Sequence, residues 1–162
     1  LSEVRNVAIT PLQKKTAAGA TAGIVTAIIA FTAPFEGESH VAYRDPVGVL
    51  TICDGETQGV HVGQHMTHQQ CMAAMAKRVP QYLGPVDRMM PSLTTNQRIA
   101  FTDFAWNEGV GRLEHSGIPP LMNHGQIRAG CDRLLKFDTA GGHVYPGLSK
   151  RRKAERELCL KF

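Results

Sequence analysis

Twenty consecutive residues, Thr16 to Phe35, carry no charged side chain. As a helix rising ~1.5 Å per residue, such a run reaches about 30 Å, the thickness of a bilayer's hydrocarbon core. Arg5, Lys14 and Lys15 precede it and would stay on the cytoplasmic side. Yet its strongly apolar residues are only Ile24, Val25, Ile28, Ile29, Phe31 and Phe35, among Ala, Gly and Thr. Gly19-Ala-Thr-Ala-Gly23 is a G-x-x-x-G, which permits close helix contact in a membrane. A cleaved leader fits poorly, because Ala33 precedes Pro34 and bulky Phe31 would stand at the −3 position. A buried, alanine-rich helix of a folded domain is the other reading.

The remaining chain suits one core. A length of 162 residues with 43% hydrophobic and 20% charged residues is ordinary for a folded globule. A net charge of +4 favours an anionic partner: nucleic acid, a membrane surface or an acidic wall polymer. Thr67-His-Gln-Gln70 and Thr94-Thr-Asn-Gln97 are capping boxes. They open helices over about 68–82, closed by Pro80 and Gly84, and from Thr94 to near Gly109. Val41 to Thr57 alternates loosely around Asp45-Pro46-Val47-Gly48, a turn signal, and predicts a hairpin. Short helices are expected at 118–124 and 126–136, then a glycine-rich loop from Asp138 to Gly147. A last helix, capped by Ser149, runs to about Leu160. The fold class is α+β, mainly helical with a small antiparallel sheet.

Four cysteines, Cys53, Cys71, Cys131 and Cys159, include no C-x-x-C. That argues against a zinc ribbon or a thioredoxin motif. Three disulfide pairings are possible, and four buried thiols are the alternative. The expected helices favour Cys53–Cys71 and Cys131–Cys159.

The chemistry concentrates after the uncharged run. Glu36, Asp45 and Thr51 form E-x8-D-x5-T. A carboxylic acid, a carboxylate and a hydroxyl that holds water are the parts needed to hydrolyse a glycosidic bond. Each also has a bland reading: a solvated helix-entry Glu, an Asp-Pro turn, a β-branched strand residue. Glu38 competes with Glu36 for the acid's role.

The segment resembles the phage-type lysozyme family. Two further stretches carry the likeness. Phe104-Ala-Trp106-Asn107-Glu-Gly109-Val-Gly111 is similar to that family's cleft helix and glycine turn, and Gly147 to Cys159 is similar to its C-terminal signature. The likeness spans about Phe35 to Phe162. It implies a catalytic domain over 36–162 with a lysozyme-like fold and a muramidase activity on peptidoglycan. It makes Glu36 the general acid, Asp45 the carboxylate that aids water, and Thr51 the holder of that water. Such an arrangement inverts the anomeric carbon and requires carboxyl groups roughly 6.5–9.5 Å apart. Trp106 and Asn107 become candidates for substrate contact; Trp106 has an equal reading as core. Where the family shows His after its Gly-rich strand, this chain has Glu56.

The resemblance also gives the N-terminal run, 1–35, a further reading as a signal-anchor-release segment. It would export the enzyme, hold it transiently in the host inner membrane, and release it to the periplasm. Weak hydrophobicity suits release, since fewer apolar groups return to water. Some relatives are inhibited by a cysteine swapped into the site. No cysteine lies in Thr16–Phe35, so this chain looks like the other type, whose released segment becomes a helix and places the catalytic Glu. A monomer is expected after release.

No cofactor is implied. The histidines His61, His65 and His68 lie in a Gly-containing loop without H-E-x-x-H, and no metal is expected. Nucleic acid is excluded as a partner by the modest charge and the lack of a reading motif. Lys150-Arg151-Arg152-Lys153 with Arg156 reads as a basic face, either merely solvated or attracting anionic wall polymer or lipid. The alternative to an enzyme is a glycan-binding relative that no longer cuts.

Overall fold

The structure, a computed structural model, describes residues 11–161, with side chains from residue 22 onward. Arg5 lies outside the described residues. Helix α1 (Pro11–Thr32) leads through a 3-10 turn, Ala33–Phe35, into a hairpin of β1 (Ser39–Arg44) and β2 (Leu50–Cys53). Helices α2 (His68–Met89) and α3 (Thr95–Glu108) follow. Three short helices come next: α4 (Val110–Glu114), α5 (Ile118–Asn123) and α6 (Ile127–Arg133). A tiny hairpin, β3 (Thr139–Ala140) and β4 (His143–Val144), precedes α7 (Pro146–Cys159). The expected α+β class is what forms.

Both capping boxes are present. Thr67 accepts a hydrogen bond from the Gln70 backbone N–H, and Gln70 accepts one from that of Thr67. Thr94 and Gln97 do the same at α3. Each pair satisfies two amides that the first helical turn leaves unbonded. Helix α2, however, runs on through Pro80 and Pro85 to Met89. Each proline removes one ladder hydrogen bond, but the buried row Cys71, Met75, Val79, Leu83 and Val86 continues past both. Burial of that row outweighs two missing bonds, so Pro80 and Gly84 do not end the helix.

The C-terminal half departs from expectation in two places. Asp138 to Gly147 is not all loop: Gly141 and Gly142, both at positive φ, turn a two-residue hairpin. Helix α7 begins at Pro146, whose fixed φ suits a first helical position. Ser149 lies inside it, and its hydroxyl donates to Asp138 at 2.8 Å instead of capping.

Among the described residues, three apolar clusters hold these elements. The largest joins Val86, Phe101, Phe104, Leu113, Ile118 and Leu134 between α2, α3 and the C-terminal helices. A second seats Ile24 and Ile28 of α1 on Val79 and Leu83 of α2 and Ile99 of α3. The third packs Ile52 of β2 with Cys53 and Cys71. Disulfides Cys53–Cys71 and Cys131–Cys159 tie β2 to α2 and α6 to α7. Bridges closing loops of this size restrict the unfolded chain by about 3 kcal/mol each. Among the described residues no helix is long and apolar enough to cross a membrane.

Candidate active site

Glu36 follows the 3-10 turn directly, its backbone N–H bonded to the Ala33 carbonyl at 3.1 Å. Helix α1 leads without a break into that turn, so Glu36 lies eight residues beyond the docked Ile28. Its side chain, 21% exposed, meets Arg151 of α7, with Nη1 2.8 Å from Oε1. The same guanidinium lies 5.4 Å from the ring centroid of the neighbouring Phe35, so Glu36 has an apolar ring and a cation beside it. A cavity of about 420 Å³ opens here, lined by Phe35, Glu36, Asn107, Tyr145, Leu148 and Arg151 among others.

Asp45 and Thr51 sit together on the first hairpin. Asp45 opens its turn: Oδ1 accepts from the amides of Val47 (3.0 Å) and Val49 (2.8 Å). The turn needs Gly48, whose φ of +86° costs a side chain strain. Thr51 stands opposite Tyr43 in the ladder and is 4% exposed. Its hydroxyl donates to the Val49 carbonyl at 3.1 Å, so its lone pairs remain to accept. Glu38 is drawn away from Glu36's surroundings. It takes His40 Nε2 and His68 Nδ1, each at 2.9 Å. The hydrogen bond from His68, opposed by burial and reinforced by His40, lowers its pKa. Glu56, where the family places His, accepts two backbone amides, Thr57 and Gln58, and pairs with Ile52 across a tight turn.

The two candidate substrate contacts part company. Asn107 lines the cavity, and its Oδ1 accepts from Arg152 at 2.6 Å, which leaves its amide N–H groups directed elsewhere. Trp106 does not line it. It packs against Tyr82 with ring centroids 4.9 Å apart, under the Arg78 guanidinium and beside the α1 cluster. It is partly buried there.

The basic run of α7 is not one solvated face. Lys150 and Lys153 are exposed, but Arg151 and Arg152 are buried at 3% and 0%. Arg151 donates twice to Asp103, through Nε (2.9 Å) and Nη2 (2.8 Å). Burial opposes its charge, but Asp103 and then Glu36 more than offset that, so it holds its proton more tightly than an ordinary arginine. Burial pulls Arg152 the other way, against the attraction of Glu155. Glu155, fully buried, lies 3.0 Å from Arg152. Burial, and then the neighbouring Asp103 carboxylate, raise its pKa well above the ordinary glutamate value in spite of both arginines. The sequence did hold a signal for this network: Asp103 is the one charged residue in the mostly apolar stretch Ile99–Ala105 of α3, and a buried Asp needs a partner.

The folded state keeps a proton on Glu155 where the unfolded chain, with a carboxyl pKa of about 4.3, has released it. Stability from this group is full below that pH and falls as pH rises toward the folded value. Glu155→Gln removes the loss. Its Tm relative to wild type is expected to be several °C more favourable at pH 8 than at pH 4, roughly 2–4 °C per kcal/mol. Scanning calorimetry at the two values tests this; equal gaps would refute it.

The phage lysozyme family model matches residues 33–155, which takes in Glu36, Asp45, Thr51 and the whole Asp103–Glu155 network. The chain belongs to the phage lysozyme family. It is 34% identical to the SAR-endolysin of Enterobacteria phage PA-2 over 161 residues, covering 93% of this chain and 96% of that protein. It is 33% identical to the SAR-endolysin of Pseudomonas phage phiKMV over 156 residues, 93% of this chain and 92% of the other. The fold matches the muramidase domain of SpmX from Asticaccaulis excentricus with a TM-score of 0.78 at 24% identity. That match spans 83% of this chain and 95% of the other. As a member of this family the protein is a lysozyme-type glycoside hydrolase acting on peptidoglycan.

Proposed function

We propose that this phage lysozyme hydrolyses the β-1,4 bond from N-acetylmuramic acid to N-acetylglucosamine, with Glu36 as general acid. The observation that carries the assignment is Glu36 in the wall of a sugar-sized cavity beside Arg151 and Asn107. Asp45 is the carboxylate that aids the attacking water. Its Oδ1 is committed to the turn, while Oδ2 takes no protein hydrogen bond among the described residues. Thr51, with its proton donated to Val49, accepts from that water. A water held between carboxylate and hydroxyl on the far side of the sugar from the acid gives inversion. Asn107 offers N–H donors to an N-acetyl group.

The N-terminal segment, 1–35, serves as a transient anchor in the host inner membrane, and its Pro11–Thr32 stretch then docks as α1. Named relatives of this kind and the thin apolar character of Thr16–Phe35 support that reading. The released form acts in the periplasm as a monomer, and its action on the wall lyses the host.

The test is digestion of purified peptidoglycan by wild type and Glu36→Gln, with new reducing ends identified. New muramic-acid ends are expected from wild type alone. Equal release by Glu36→Gln would remove Glu36 from the mechanism.

A further inference from the structure

The Arg151 guanidinium has five N–H groups in a rigid plane, and here it hydrogen-bonds one carboxylate and forms an ion pair with a second. Nε and Nη2 grip Asp103 side-on, at 2.9 and 2.8 Å. The remaining edge puts Nη1 2.8 Å from Glu36. A fork held at two points cannot rotate about its own plane, so the direction in which Nη1 points is set by Asp103. Asp103 is itself fixed: it is fully buried on α3, which packs against both α1 and α7.

Charge reinforces the geometry. The groups facing Arg151 are Glu36 from the segment after α1, Asp103 from α3 and Glu155 from α7, the last 3.9 Å from Nε. Exposed Lys150 lines the same cavity. Arg152 is occupied with Asn107, Glu108 and Glu155. Asp103 alone makes a bidentate bond to Arg151, and it therefore takes the larger share of that positive charge.

We infer that Asp103 is a positioning residue for the proposed proton donor: through Arg151 it orients the Glu36 carboxyl and limits how much cationic charge that carboxyl meets. The inference rests on the assignment of Glu36 as the acid. Without the Asp103 charge, Arg151 would turn its full charge to Glu36 and favour the ionised form. An ionised Glu36 cannot donate, so activity would be lost at a lower pH.

The experiment compares wild type, Asp103→Asn and Asp87→Asn on soluble peptidoglycan oligosaccharides across pH, with unfolding curves for each. Asparagine keeps the shape of Asp103 and removes its charge. Asp87→Asn breaks another Arg–Asp pair, to Arg98 at 2.6 Å, and serves as the structural control. Rates are taken per folded molecule. The basic limb of the kcat/KM profile is expected to move down by about one pH unit in Asp103→Asn, with a roughly tenfold lower kcat at neutral pH. Asp87→Asn should leave the limb in place. If Asp103→Asn leaves the limb in place too, or moves it up, the inference is wrong while Glu36 keeps its role. Undiminished turnover by Glu36→Gln in the same series would overturn both.

Discussion

Arg151→Met is expected to lower stability by about 3–5 kcal/mol and turnover by roughly a hundredfold. The side chain is 4% exposed and touches Asp103, Glu36 and the Phe35 ring. Methionine fills much of the volume, so little of the effect comes from a cavity. The cost arises because Asp103, with no exposed side-chain surface, would keep a charge and lose both hydrogen bonds. Glu36 would lose the contact that holds it in the cavity wall. The midpoint of urea unfolding reads the first effect and turnover per folded molecule the second. The double variant Arg151→Met with Asp103→Leu separates the causes. Replacing both charged partners by apolar groups should recover most of the stability and none of the turnover. If the double variant is no more stable than the single, uncompensated charge is not the reason for the loss.

That contrast between packing and placement also divides what could be read in the sequence. Capping boxes at Thr67 and Thr94 are local, and both helices start where those residues require. The hairpin around Gly48 is local too, as are the three acidic and hydroxyl positions that share it or flank it. Where α2 ends is not local. Pro80 is a strong breaker in isolation, and only the tertiary burial of Val79, Leu83 and Val86 carries the helix beyond it. The same limit hid Arg151 and Arg152. Four consecutive basic residues read as a solvated face, but on a helix they point in different directions, and the middle two face α3. What makes that burial tolerable, Asp103 and Glu155, lies 48 positions before Arg151 and four after it. Trp106 has equal sugar-stacking and core readings in the sequence, and its contacts with Tyr82 and the α1 cluster are long-range ones that no local pattern shows. Glu56 looked like a lost histidine. Its two backbone hydrogen bonds give it a local task in the turn after β2.

Ile28→Ala should cost about 2–5 kcal/mol, the range for emptying a buried aliphatic site. Ile28 is fully buried, in a cluster with Ile24, Val79, Leu83 and Ile99. The same change at Val47, which is 83% exposed, should stay within about 0.5 kcal/mol. The larger consequence is for the site. Thr32, with no exposed surface, and the Ala33–Phe35 turn connect Ile28 to Glu36 without an intervening loop. A looser α1 therefore passes its motion directly to the carboxyl that Arg151 must meet at 2.8 Å. A misplacement of about 1 Å is enough to cost a hundredfold in rate. Turnover per folded molecule is expected to fall at least tenfold, with faster amide exchange from Ile24 to Thr32. Unchanged turnover beside accelerated exchange would mean that Arg151 and the hairpin hold Glu36 unaided. The weakly apolar run would then contribute stability alone, and its docking would have no part in assembling the acid.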